Sequence, residues 1–443
     1  MKTPHVDIIA INPIKPLLYG SAIFIILWTI APINFIYKGG IKSITLLTLC
    51  FTFLFLGIAL GARSFKSSKI KFQANLSQLK KLIKHTFTLG IIGISLRIFE
   101  RVVLRAGGNI SSDFAENREL ISSGGSGPLA LISATLASML MFLPLFLFLS
   151  NKCGMHRRVH SIYFLASLTY PLFDVLYQGS RSTLVMYLSV LLISAATTQS
   201  INLKKIKTMA ALVTIALPTL ISLFGLSTYI FIERATQFGV DPISSMQISG
   251  YAKFAPASDT TLALLRESGI SGISAAIYST VNFCQYFLHG LYEFFYLAES
   301  TNSATTYGMI DFYIPVKVVA SLLGNINIEE VIASGILRPG VYTTFFGPII
   351  YDFGPALSAP ACFFAGLVFG HANRRLKQGA SKWLPFLLIV NSFISFALVV
   401  NLFTSGAGQY LTISSMIMLI IISRLKVFIK LPYTHLRSTQ AQK

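Results

Sequence analysis

Long uncharged apolar runs alternate with short polar ones along most of this chain. Runs of twenty or more residues without a charge cover Leu17–Tyr37, Ser43–Ala62, Pro128–Ser150, Thr208–Ile232 and Trp383–Tyr410. A bilayer core asks for about 20 consecutive apolar residues per helix. Apolar windows and their flanks predict ten membrane helices, at about 17–37, 43–62, 86–104, 128–150, 161–179, 182–202, 209–231, 350–370, 384–404 and 410–428. The first run begins after Lys15 and outlasts a signal-peptide core, so it reads as a retained signal anchor. The predicted fold is an all-α polytopic integral membrane protein of about ten to twelve transmembrane helices with one long outer loop. Three sections follow: 1–231, a bundle of about seven helices with an outer loop at 105–127; 232–349, a large outer loop with interfacial helices; and 350–443, the C-terminal helices.

Composition agrees with the pattern. The 443 residues are 53% hydrophobic and 12% charged, against about 25% charged in soluble domains. The net charge of +20 would suggest nucleic acid in a soluble protein. Here it follows from the enrichment of cytoplasmic loops in Lys and Arg, and no nucleic-acid partner is expected. Cys50, Cys153, Cys284 and Cys362 show no paired spacing, and no metal or cofactor motif is present.

Charge sets the topology. The segment 63–84 carries seven Lys/Arg and no acid, which makes it cytoplasmic. Parity then puts 151–160, 203–208, 371–382 and both termini on the same side, with 105–127 and 232–349 outside. Inside are 17 Lys and 7 Arg with Asp7 as the only acid; outside are 4 Lys and 8 Arg with 15 acids. Topology selects against outer cations, yet Arg97, Arg101, Arg105, Arg118, Arg181, Arg234, Arg266 and Arg338 stand there. The planar guanidinium fork matches phosphate and carboxylate bidentately. An outer anion site explains the bias, and pairing with the nearby acids is the plainer explanation for any one arginine.

Within the long loop, Asn282, Gln285, His289 and Glu293 are spaced 3, 4 and 4, on one face of a helix rich in Phe and Tyr. This helix is expected either to lie in the outer interface, apolar side down, or to be an arm of a further membrane hairpin. His289 and Glu293 form an i, i+4 pair, either a general-base couple or a plain surface contact. Asp113, Glu116 and Glu119 lack any divalent-cation pattern and read as a mobile loop with Arg118 paired locally. In "LYQGSRST", Gly179 supplies a tight outer turn and Arg181 stands beside a helix N-terminus, a seat for an anion or an interfacial anchor, with Asp174 as a candidate partner.

The "QGSR" turn, the long outer loop and "RPGVYTTFFGPIIYDFG" (Arg338–Gly354) leading into a membrane helix together resemble the bacterial O-antigen and oligosaccharide repeat-unit polymerases, the Wzy group. The resemblance implies a type C glycosyltransferase-like fold in the bacterial inner membrane, with a periplasmic active site. It implies metal-independent, inverting transfer of an undecaprenyl-pyrophosphate-linked glycan onto a second lipid-linked repeat unit, with a chain-length regulator membrane protein as partner. Such a reaction needs cations at the leaving pyrophosphate, a proton acceptor and apolar grooves open to the bilayer. Arg181, Arg338, Arg234, Arg105 and Arg266 are the candidates for the first, with Gly340, Thr343 and Thr344 allowing close approach and Tyr342 among the aromatics that stack on sugars. Glu293, His289 or Asp352 is the candidate base, and Asp352 also suits a helix cap or an arginine partner. Gly347 and Pro348 are expected to break off a short re-entrant piece. The rivals are an O-antigen ligase of similar fold and a lipid-linked oligosaccharide flippase, for which repeated halves and short outer loops are expected.

Overall fold

The computed structural model describes residues 4–37, 39–108, 111, 116–117, 119–120, 127–155, 159–200, 225, 228–233, 235–237, 239–300, 305–323 and 327–430. The elements run β1 (His5–Ala10), α1 (Ile14–Ile30), α2 (Ile41–Ala62), β2 (Ser68–Ala74), α3 (Leu76–Ile98) continued by a π-helix (Phe99–Arg105), α4 (Pro128–Lys152), α5 (Val159–Gln178), α6 (Ser182–Thr198), α7 (Pro242–Ile248), α8 (Asp259–Ser268), α9 (Gly272–Glu299), α10 (Tyr313–Leu323), α11 (Ile328–Gly335), α12 (Phe346–Lys377), α13 (Leu384–Ile394), α14 (Gly406–Leu425) and β3 (Phe428–Lys430). Among the described residues five helices are long and apolar enough to cross a membrane: α2, α4, α5, α12 and α14. Shorter apolar helices include α1, α6 and α10. The predicted helix at 209–231 lies largely outside the described residues.

The chain is mostly helical but not wholly so. β1, β2 and β3 form one antiparallel sheet in the order β1-β2-β3, with Ile8 opposite Ile70 and Phe72 opposite Lys430. Val6, Ile8, Ile70 and Phe72 alternate into a buried face, the period-two pattern of a half-buried strand. The sheet draws residues 5–10, 68–74 and 428–430 to one end of the bundle. An apolar-window criterion overlooks such segments because alternation keeps their mean polarity high.

α2 and α12 meet backbone to backbone. A Cβ on Gly57 would overlap the Phe363 carbonyl, and one on Gly61 the Leu367 carbonyl. Reciprocally, Gly366 abuts Leu54 and Gly370 abuts Ile58. Two small-xxx-small stretches thus face each other, which lets backbones meet where lipid gives no hydrophobic drive for association. α12 starts at Phe346 and runs through Gly347 and Pro348, so the predicted break is not there. It falls at Gly354 (φ 73°, ψ 167°), followed by Pro355.

Two apolar cores result. One joins α1, α2, α9 and α12 with residues 246–265. The other joins the sheet, α3, α4, α6, α13 and α14. Much of the 232–349 section is therefore packed into the first core. α9 is built into the wall of the bundle, with Tyr278, Leu288, Tyr292 and Phe294 buried.

Candidate active site

α9 begins at a capping box in which Ser271 and Ser274 satisfy each other's backbone. Its four polar residues do share a face, but that face is buried rather than turned to solvent. Burial obliges them to find partners. Asn282 donates to the Tyr278 carbonyl at 3.0 Å, and Gln285 Nε2 donates to the carbonyls of Met246 (2.7 Å) and Ala255 (3.0 Å), fastening the 246–255 segment onto the helix.

His289 and Glu293 do not pair with each other. His289 Nδ1 lies 3.0 Å from the Gln285 carbonyl oxygen. A carbonyl only accepts, so this nitrogen carries the proton and Nε2 is the bare acceptor. Nε2 is buried with no hydrogen-bond partner among the described residues. The ring packs between Tyr342 (4.3 Å between centroids) and Tyr251 (4.6 Å). Burial, helped by the Arg338 charge, pushes its pKa down to about 4, so the imidazole is neutral at physiological pH.

Glu293 meets Arg338, whose Nη1 donates to Glu293 Oε1 and whose Nη2 donates to the Gly250 carbonyl at 3.0 Å. The guanidinium also lies 5.1 Å from the Phe254 ring centroid. Burial pushes the Glu293 carboxyl up to about 7, against the lowering pull of Arg338 and Lys253. It is thus poised between its two protonation states near neutral pH, as a general base should be. Arg338 touches this carboxylate; the sequence-based reading gave it a phosphate.

Arg181 takes a different setting. Gly179 (φ 61°) ends α5 in the left-handed conformation and Arg181 stands at the start of α6. Its guanidinium stacks 3.8 Å from the Phe231 ring centroid and 5.2 Å from that of Tyr286. Asp174, its expected partner, is taken by Arg101 at 2.6 Å and by the Thr183 hydroxyl at 2.8 Å. Arg181 lines an apolar cavity of about 570 Å³, together with Tyr251, Tyr286, Tyr342 and Phe287 and with Val185 and Leu188 of α6. Tyr286 and Glu293, seven residues apart on α9, are about 10 Å apart along the helix.

The Arg338–Gly354 motif divides between this site and its scaffold. Tyr342 lines the cavity and donates to the Tyr286 carbonyl at 2.6 Å. Thr343 donates to the Gly290 carbonyl at 3.2 Å. The Thr344 hydroxyl is buried with no partner among the described residues. The Thr343 hydroxyl and the Thr344 backbone N–H, which donates to the Gly290 carbonyl at 3.3 Å, support the α9 crossing, where a Cβ on Gly290 would overlap the Val399 carbonyl. Gly340 (φ +82°) faces open space. Asp352 is neither at the start of its helix nor beside an arginine. It is buried and accepts from the Thr306 hydroxyl, from Ile310 N (3.1 Å) and from Asp311 N (2.7 Å), which pins the turn before α10. Burial and the Asp352 charge hold the Asp311 carboxyl well above the usual carboxylate range.

The remaining arginines lie elsewhere. Arg105 pairs with Glu100, which also pairs with Arg97 at 3.4 Å. With Arg101 and Asp174 these residues tie the π-helix to α5, a structural ion network that removes Arg105 from the cavity. Arg266 is exposed in the last turn of α8 and does not line the cavity. Arg234, Asp113 and Arg118 lie outside the described residues.

Sequence reasoning missed Tyr251, Phe231 and the stretch 396–405. The apolar windows predict a helix to about 404, but α13 stops at Ile394 and turns follow. Phe396, Val399, Asn401 and Ser405 line the cavity. Non-helical backbone at this depth is tolerated where it is buried in protein or lines a cavity. The signal available was "NLFTSGAG" (Asn401–Gly408), too polar for an uninterrupted span. Comparison with protein-family models, curated proteins and solved structures finds no match to the chain.

Proposed function

We propose that the protein is an inner-membrane glycosyltransferase that polymerises undecaprenyl-pyrophosphate-linked repeat units into O-antigen or a related surface polysaccharide, on the periplasmic face. The observation that carries this reading is the apolar cavity lined by Arg181 and Tyr286, with Glu293, whose carboxyl burial pushes up to about 7, two turns along α9 from Tyr286. A lipid-linked pyrophosphate needs an apolar channel that ends in a cation. A sugar hydroxyl needs a proton acceptor close to where it attacks.

In this mechanism the donor pyrophosphate sits at Arg181, whose stacking on Phe231 fixes the guanidinium plane. Tyr251, Tyr286 and Tyr342 offer ring faces to the sugar. The acceptor approaches past Gly340, and its hydroxyl oxygen bonds to the anomeric carbon. The bond from that carbon to the pyrophosphate oxygen breaks, and the electron pair leaves with undecaprenyl pyrophosphate. The hydroxyl proton passes to Glu293, which Arg338 orients. His289, neutral and enclosed, holds the tyrosines rather than taking the proton. Asp352 is a scaffold residue. Under this reading the sheet end of the bundle is cytoplasmic, and so are both termini.

The test is turnover of lipid-linked repeat units by the purified protein. Arg181→Ala is expected to abolish it, and Arg181→Lys to fail badly because an ammonium lacks the planar fork. Glu293→Gln is expected to lose about 100-fold or more. Normal turnover in Glu293→Gln would remove the base. Lipopolysaccharide from a deletion strain separates the rivals: a ladder reduced to core plus one unit supports polymerase, and loss of all O-units with accumulating lipid-linked polymer means ligase.

A further inference from the structure

A second cavity, of about 720 Å³, lies below the first. It shares two lining residues with it, Phe287 of α9 and Phe396 after α13, whose rings meet edge to face with centroids 6.0 Å apart. The two cavities are stacked along α6. The upper one touches Ser182 through Leu188, and the lower one touches Ile193 and Ala196. From Ser182 to Ala196 the helix rises about 21 Å, much of a hydrocarbon core about 30 Å thick. One phenylalanine pair therefore divides a long apolar chute in two.

The lower cavity differs from the upper in its polar end. Lys15, Ser67 and Lys69 lie there, at the sheet. Lys15, Tyr19 and Ile23 of α1 follow at four-residue intervals on one helix face. Tyr19 is 68% and Ile23 56% exposed, so the groove opens sideways along an apolar helix. The charge at its mouth is one-sided. Residues 4–15 and 63–74 carry Lys15, Arg63, Lys66, Lys69 and Lys71 against Asp7 alone, and Asp7 is already paired with Lys69 at 2.8 Å. The back of the groove is closed, because α1 meets the chain where a Cβ on Gly20 would overlap the Ser395 carbonyl.

We infer that this lower groove seats an anionic phospholipid from the leaflet on the sheet side, its phosphate at Lys15, beside the Lys69–Asp7 pair, and one acyl chain lying along Tyr19 and Ile23 to the Phe287–Phe396 pair. The inference is independent of the glycan chemistry proposed above. The upper cavity takes its occupant from one leaflet and the lower groove from the other, and the two phenylalanines keep the tails apart.

The test uses the full-length protein in phosphatidylcholine vesicles doped with phosphatidylglycerol that carries a diazirine at the end of one acyl chain. The comparison is the same label on phosphatidylcholine. After irradiation, adducts are mapped by mass spectrometry. The expected adducts fall on residues 193–196, 287 and 395–396, with phosphatidylglycerol favoured about fivefold, the worth of one lysine near a membrane surface. Lys15→Glu is expected to erase that preference. Equal labelling by the two lipids would mean an ordinary boundary lipid and overturn the inference. So would adducts confined to the outer faces of α2 and α12, or loss of the adducts on adding unlabelled undecaprenyl phosphate, which would make the groove the tail end of the upper site. The wild-type comparison of the two lipids decides the matter even where Lys15→Glu fails to insert.

Discussion

Arg338→Gln removes the cation beside Glu293 and leaves a side chain of similar reach. In the wild type, burial drives the carboxyl up to about 7 although Arg338 pulls it down. A hydrogen bond to a charged group is worth about 1.5–3 kcal/mol, and one pH unit corresponds to about 1.4 kcal/mol. Loss of the guanidinium should therefore raise the midpoint of the acid limb of turnover by about 1–2 pH units. At pH 7 the ionised fraction falls from about half to roughly 1–10%, and turnover falls by about 5- to 50-fold. At pH 9 about half or more of it returns. The assay is release of undecaprenyl pyrophosphate from lipid-linked repeat units between pH 5.5 and 9.5. Stability moves in a consistent direction. The folded carboxyl titrates above its ordinary value of 4.5, so the protein loses stability as pH rises from there through about 7, and the variant loses more. Thermal unfolding should separate wild type and variant most above pH 8 and least near pH 4.5. A variant slowed equally at every pH, with its midpoint unmoved, would refute the argument. Arg338 would then act on the substrate itself, as the sequence-based reading had it.

Gly366→Leu should lower the unfolding temperature in detergent and the inserted yield, because its Cβ already meets the Leu54 carbonyl and overpacking costs about 1–3 kcal/mol; an unchanged melting curve counts against the α2–α12 contact. Asp352→Asn should destabilise by about 1–3 kcal/mol, since an amide cannot accept at both oxygens, while the pH midpoint of turnover stays where it is. A shifted midpoint would return Asp352 to the chemistry. Lys253→Cys, at an exposed position, should react with an impermeant maleimide in intact spheroplasts; labelling only after the membrane is opened would reverse the proposed orientation.

Much of the helical skeleton was legible because apolar length is a one-dimensional property. α2, α4, α5 and α12 sit within a few residues of their predicted places, apart from the extensions of α12 at both ends. The face of α9 was also legible, since the spacing of Asn282, Gln285, His289 and Glu293 fixes an azimuth. Which way that face points was not. Solvent is the default for a polar face only when no neighbouring backbone supplies acceptors, and here Met246 and Ala255 supply them. The sheet and the turns at 396–405 depend on partners remote in sequence, which periodicity does not carry.

The arginines show where composition stops and geometry takes over. All eight shared one signal, a cation on the side where topology disfavours it. Arg97, Arg101 and Arg105 resolve into acids already present on α5 and the π-helix, at Asp174 and Glu100. These pairs are sheltered, and breaking one strands a buried charge, so stability alone explains them. Arg338 joins an acid too, Glu293, whose carboxyl burial pushes up to about 7. Arg181 is set apart by a ring at 3.8 Å, the contact that orients a guanidinium plane. The local sequence holds no sign of it, because Phe231 lies fifty residues downstream. An outer arginine is therefore informative only together with what its flat face touches, and that follows from the packing of Phe231 and Tyr286 against α6.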